Sequence, residues 1–161
     1  MKRVKFILGT LLSFFLGIFI SRHIAYKKIV EESDIISKYI CLFKFANEWI
    51  ILKQRGIEFK RYFKERGYNS IAVYGMGDLG ERFVDEVKNT DINIEYAIDR
   101  CRKGKYANIE IKNFDGALPK VDAVVVTPIY NFWEIRPSLT DRFECPVVSL
   151  EDVVCECNKI I

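Results

Sequence analysis

The feature that most constrains this 161-residue chain is an apolar run that opens into three glycines, Ser70-Ile71-Ala72-Val73-Tyr74-Gly75-Met76-Gly77-Asp78-Leu79-Gly80. A short, nearly continuous apolar stretch with β-branched residues reads as a strand buried on both faces, the kind found in parallel sheets. The G-x-G-x-x-G spacing then gives each glycine a separate job. Gly75 makes the tight turn, Gly77 lets a ligand phosphate approach the backbone, and Gly80 lets the next helix pack close to the strand. Leu79, Phe83, Val84 and Val87 follow at helical steps with charges between them, which predicts a helix over Asp78–Lys88.

The loop residues Gly75, Met76, Gly77, Asp78, Leu79 and Gly80 are thus the first part of an expected nucleotide-binding site. Two roles are open for Asp78: a cap or first-turn acid that satisfies helix amides, or a carboxylate that competes with phosphate for them. A second apolar run, Ile92 to Ile98, ends at Asp99, 19 residues after Gly80. An acid about 20 residues on is where a ribose hydroxyl would be bound, and the alternative is a solvated acid that begins a loop. Arg100, Arg102, Lys103 and Lys105 crowd the same strand end. Such a cluster suits a 2′-phosphate or another anion better than a plain ribose.

Beyond Asp99, Ile109 and Ile111 suggest a short strand, and Val121 to Val126 a buried parallel one that ends at Thr127. Open parallel sheets bind ligands beyond the carboxyl ends of their strands, so Thr127 joins Asp99 and Arg100 as an expected site residue. Tyr130, Asn131 and Trp133 either line that crevice or pack at the sheet edge. Pro137 argues against one straight helix from Asn131 to Phe143. Pro146-Val147-Val148-Ser149 reads as a last strand, and Leu150 to Cys157 as a last turn or helix.

The N-terminal part has a different character. Residues 1–67 carry 14 Lys/Arg against 6 Asp/Glu, a net +8, and residues 68–161 carry 11 against 16, a net −5. A basic first part fits an anionic membrane surface, and an acidic globular part without a basic stripe excludes nucleic acid as a partner. Phe6 to Ile20 holds no charge and is flanked by Lys2, Arg3 and Lys5 on one side and Arg22, Lys27 and Lys28 on the other. At ~1.5 Å per residue it reaches ~23 Å, short of the ~30 Å hydrocarbon core, a gap that snorkelling of Lys5 and Arg22 and bilayer thinning can close. No small-x-small cleavage pattern follows Ile20, so the expectation is an uncleaved membrane anchor, with a signal peptide or an interfacial helix as alternatives.

The flanking charges are too balanced to set orientation. Five cysteines without framework spacing favour a reducing compartment, hence a single N-terminal pass in the cytoplasmic (inner) membrane with the globular part in the cytoplasm. Cys155-Glu156-Cys157 has no second pair, and His23 is the only histidine, so no metal site is expected. From Ala25 to Arg66 the pattern is helical, broken at Gly56, and its second piece, Ile57–Arg66, is expected to cover one face of the sheet. The first piece is apolar over a wide arc. It either packs on its own domain or pairs with another chain, which leaves a homodimer open. The expected organisation is an anchor over 1–24, an amphipathic helical segment over 25–56 and an α/β domain over 57–161.

The set Ile71 to Gly80, Tyr96-Ala97-Ile98-Asp99, Val124-Val125-Val126-Thr127 and Pro146 to Asp152 resembles the small Rossmann-like domains related to sugar-nucleotide epimerases and dehydratases. Such domains occur alone or fused to transferases in bacterial surface-polysaccharide systems. The resemblance spans about residues 57–157. It implies a Rossmann-like parallel sheet of about four to five strands with flanking helices. It also implies a cofactor such as NAD(P) or a sugar nucleotide, its diphosphate on Gly75, Gly77 and Gly80 and its ribose on Asp99, and a glycosyltransferase or other polysaccharide-assembly protein as partner. Extended short-chain epimerases use a Tyr-x-x-x-Lys pair, in which the lysine lowers the tyrosine's pKa. Here Tyr62, Tyr96 and Tyr130 are followed four residues on by Arg66, Arg100 and Glu134, and no tyrosine has the lysine. The expectation is therefore a membrane-anchored accessory module rather than a complete enzyme of that class. The alternatives are an NAD(P)-dependent sugar-nucleotide enzyme with an atypical site, and a partner-docking module whose glycine loop holds nothing.

Overall fold

The computed structural model describes residues 2–159, with side chains from Leu16 onward. The chain divides into two units, Met1–Cys41 and Leu42–Ile161, and the first helix, α1 (Lys2–Gln54), contributes to both. Between Gly17 and Gly56 the sequence has neither glycine nor proline, so nothing interrupts the helix where the expected 1–24 anchor meets the 25–56 segment. Within the first unit, ion pairs Lys27–Glu31 and Lys28–Glu32 at 3.9 Å sit at helical i,i+4 spacing. Among the described residues no helix is long and apolar enough to cross a membrane. Most of the expected anchor run, Phe6–Ile20, lies outside the residues whose side chains are described.

In the second unit α1 ends at Gln54, directly before Arg55-Gly56, and Gly56 takes φ +69°. That left-handed conformation is one glycine adopts without strain, and it lets the chain turn into α2 (Lys60–Glu65). Strands β1 (Ser70–Tyr74), β2 (Asn93–Ile98), β4 (Ile109–Lys112), β5 (Ala123–Val126) and β6 (Val147–Ser149) follow, with helices α3 (Asp78–Val87), α4 (Phe132–Thr140) and α5 (Leu150–Lys159) among them. The sixth strand, β3 (Gly104–Tyr106), pairs antiparallel with β4 at the sheet edge, and every other pairing is parallel. The order across the sheet is β3-β4-β2-β1-β5-β6. This α/β unit has two more parallel positions around β1 than a hairpin-built sheet could supply, because each parallel neighbour needs a crossover.

Alternation along the strands builds two cores. Ala72, Tyr74, Tyr96, Ile98, Val124 and Val126 face one side, packed with Phe132 and Leu139 of α4. The Tyr96 hydroxyl there donates to the Pro119 carbonyl at 2.7 Å, and burial pushes its pKa up to about 12. On the other side an aromatic chain runs from Trp49 through Phe59 to Phe83, with centroids 5.1 and 6.1 Å apart. Trp49 also donates its indole N–H to Glu86 at 2.8 Å. The last turns of α1 thus pack on their own domain through Phe45, Trp49 and Leu52, while Phe43 and Ile50 stay exposed.

Two expectations are corrected. The sheet has six strands, because Gly104–Tyr106 forms a hairpin with Ile109–Lys112 through Ala107 and Asn108, both at positive φ. The second is Pro137: α4 runs through it as one helix. Pro137 and Trp133, the residue whose carbonyl loses its helical donor, both face solvent, so water can take the vacated bond.

Candidate functional site

The sheet reverses direction of growth at β1: the chain adds β2 and β4 on one side, then crosses to add β5 and β6 on the other. In open parallel sheets this is where a crevice opens beyond the carboxyl ends of the strands. A cleft of about 290 Å³ lies there, lined by Tyr74, Gly75, Asp99, Arg100, Pro128, Asn131, Glu134 and Ile135. Its volume is at the lower end of the ~300–1,000 Å³ usual for small-molecule sites. Two other hollows, of about 290 and 610 Å³, lie at the amino ends of the strands, beside Asn93 and Val121.

The three glycines of the turn differ in what requires them. Gly75 has φ +93°, and a Cβ there would stand 2.7 Å from Pro128 Cδ and 2.9 Å from Thr127 Oγ1. Gly80 is helical, but its Cβ would come 2.1 Å from the Gly75 carbonyl oxygen. Both are fixed by the protein's own packing. Gly77 has φ −76°, and a Cβ there would meet nothing within 4 Å. It is exposed, and it is the N-cap of α3 with no side chain to satisfy the helix amides.

The rest of the loop is braced from behind and from the side. The Thr127 hydroxyl is buried and donates to the Gly75 carbonyl at 2.6 Å, so β5 ends by locking the turn rather than by lining the cleft. Met76 has a fully buried side chain. Its N–H donates to Asp99 Oδ2 at 2.6 Å, and its carbonyl accepts from the Arg102 guanidinium at 2.5 Å. Arg102 is in turn held by Glu81 of α3. The other Asp99 oxygen accepts from the backbone N–H groups of Cys101 and Arg102 at 2.8 and 2.9 Å. Partial burial works against the Asp99 charge, but the amides of Met76, Arg102 and Cys101, with the Arg102 charge, outweigh it and hold the carboxyl below its ordinary pKa.

Asp99 therefore belongs to the site as a brace as well as a candidate ligand. Three amide donors fill part of a carboxylate's roughly four acceptor positions, which leaves capacity for a hydroxyl donor from the cleft. Arg100 lines the cleft, whereas Arg102, its neighbour in the same basic cluster, is turned onto the loop. Asp78 is the exposed first residue of α3, after the cap position, and Leu79 behind it is half buried. Of the aromatics after Thr127, Trp133 faces solvent with the Arg136 guanidinium 5.4 Å from its ring. The cleft wall comes instead from Asn131, Glu134 and Ile135, and Asn131 donates to Glu134 at 3.1 Å. Glu81, Pro128, Glu134 and Ile135 carry no motif that marks them in the sequence, and Arg102, marked there as a ligand-side cation, braces the loop instead; these roles come from three-dimensional proximity alone.

The arrangement offers an uncapped helix start, an open glycine, one outward arginine and an acceptor carboxylate, with Pro128 and Ile135 as an apolar wall. Among the described residues no cluster of three or more His, Cys, Asp or Glu side chains is placed to hold a metal ion. No protein-family model, curated protein or solved structure matches the chain.

Proposed function

We propose that this chain is a Rossmann-like nucleotide-binding accessory module, which takes a dinucleotide or a sugar nucleotide at the Gly75–Gly80 turn. The observation that carries the reading is Gly77. The protein's own packing and backbone account for Gly75 and Gly80, whereas Gly77 has ordinary φ and open space where a side chain would go. A residue kept bare on its solvent side, at an uncapped helix start, fits the approach of a phosphate to backbone N–H groups. Arg100 and the remaining acceptor capacity of Asp99 then face the rest of the ligand across the cleft. The basic, uncharged-core N-terminus supports tethering at the cytoplasmic face of a membrane. The resemblance of residues 57–157 to epimerase-related domains supports a place in surface-polysaccharide assembly beside a glycosyltransferase or similar partner.

The test is calorimetric titration of the full chain, in mild detergent, with NAD, NADP and a uridine-diphosphate sugar. Saturable one-to-one binding of at least one of these, lost in Gly77→Val, is the expected result. Absence of binding by all three to a folded chain would remove the nucleotide reading.

A second reading is favoured by a separate observation. Asp99 and Arg102 grip both the N–H and the carbonyl of Met76, so the turn is held closed by the protein's own side chains. Under that reading the loop is a structural joint, and the module works by docking a protein partner. Binding of none of the three nucleotides, together with strong destabilisation by Arg102→Ala, is what it expects.

A further inference from the structure

A seven-residue repeat runs along α1 that neither the sheet nor the cleft uses. Ile29, Ile36, Phe43 and Ile50 stand at successive steps of seven, with Glu32, Tyr39 and Ala46 between them and Ala25 four residues before the first. These are the a and d positions of a heptad, the pattern by which two helices wind around one another. In the first unit Ile29, Ile36 and Tyr39 are 64 %, 59 % and 68 % exposed; in the second, Phe43 and Ile50 are 74 % and 55 % exposed. Between residues 27 and 38 the stripe stands out from its surroundings, because the outward c and f positions there are all charged: Lys27, Glu31, Asp34 and Lys38. It is also separate from the packing of α1 on its own domain, which uses Phe45, Trp49 and Leu52 at g and c positions.

We infer that this stripe is the interface for a second copy of the same chain, paired with it in a parallel two-stranded coiled coil. Three observations favour a second copy over another occupant. Isoleucine stands at three of the four a positions from 29 to 50, the β-branched half of the two-stranded pattern, while Ala, Glu and Tyr stand at d in place of its leucine. In a parallel, in-register pair, each g position meets the e position five residues on in the other helix, so Ile35 meets Ile40 of the second copy, and both are more than half exposed in the single chain. The apolar side chains of the stripe together expose on the order of 900 Å² per copy, so pairing two copies removes an area within the ~1,200–2,000 Å² of a stable interface. Glu32 is the one charged d residue between Ala25 and Ala46, and Lys28, 3.9 Å from it on the same helix, offsets the repulsion between the two copies there.

The test is sedimentation equilibrium of the reduced full chain in mild detergent at micromolar concentration, with circular dichroism to confirm folding. The wild type should sediment as a dimer. Ile36→Glu with Phe43→Glu, both at exposed positions of the single chain, should keep helicity and the unfolding midpoint of the domain while raising the dimer dissociation constant roughly 100-fold or more. Val30→Glu removes a comparable apolar side chain from an outward b position and should leave the dimer intact. A monomeric wild type would overturn the inference, and so would a dimer that survives the Ile36/Phe43 pair. Equal loss of the dimer in Val30→Glu would overturn the heptad register.

Discussion

The two sides of the glycine turn follow different rules. On the inner side, Gly75 and Gly80 are packed against Pro128, Thr127 and each other, and Met76 is buried to its tip. On the outer side, Gly77, Asp78 and Arg100 face solvent, and Arg100 lines the cleft. Residues on the inner side are specified by the fold, and a change there is read in stability. The open space at Gly77 is specified by nothing within the chain, and a change there is read only in what the chain binds.

The comparison can be broken most forcefully at Gly80. A methyl group there would overlap the Gly75 carbonyl oxygen, so Gly80→Ala should destabilise the domain by about 3 kcal/mol or more, measured by urea unfolding. Gly75→Ala should cost somewhat less, about 2–3 kcal/mol, from the left-handed φ and the contacts with Pro128 and Thr127. Asp99→Ala removes the acceptor for three backbone amides and should cost about 2 kcal/mol at neutral pH.

The brace also has a pH signature. The Asp99 carboxyl is held below its unfolded value, so its contribution is complete above the ordinary aspartate pKa of about 3.9 and fades as pH falls through the lower folded value. The stability gap between wild type and Asp99→Asn should therefore be flat from pH 6 to 8 and close below about pH 4. A gap that persisted into acid would mean that the Asp99 charge does not hold the loop. The smallest expected change in stability is at Gly77→Ala, about 0.5–1 kcal/mol, because the new methyl group has open space and ordinary φ and only the N-cap preference for glycine over alanine is lost.

The sequence carries the inner side of the site well, since strand, turn and helix each leave a local pattern. β1, α3, β2, β5 and β6 fall within a residue or two of where apolar runs and glycines place them. β4 showed in Ile109 and Ile111, but its hairpin partner β3 left no such pattern: the turn is Ala107-Asn108 rather than Asn-Gly, and β3 is exposed Gly104 and Lys105 with a half-buried Tyr106. Pro137 is accommodated inside α4 where it faces solvent, as does Trp133, whose carbonyl loses its helical donor and can take a water instead. Thr127 and the basic cluster show a different limit. Position at a strand end says which residues can reach the cleft, but whether a side chain turns inward to brace, as Thr127 and Arg102 do, or outward, as Arg100 does, depends on partners such as Gly75 and Glu81 that are 21 or more residues away in the chain.

The most direct measurement is a thermal-unfolding comparison of full-length wild type and Gly77→Ala, each with and without millimolar NAD, NADP or a uridine-diphosphate sugar. A ligand that binds only the folded state must raise the midpoint. The expected result is two proteins whose midpoints alone lie within about 5 °C of each other, of which only the wild type is raised by at least one nucleotide. A Gly77→Ala protein destabilised by well over about 1 kcal/mol on its own, or one that gains as much from nucleotide as the wild type does, would contradict the claim that this glycine is kept bare for a ligand.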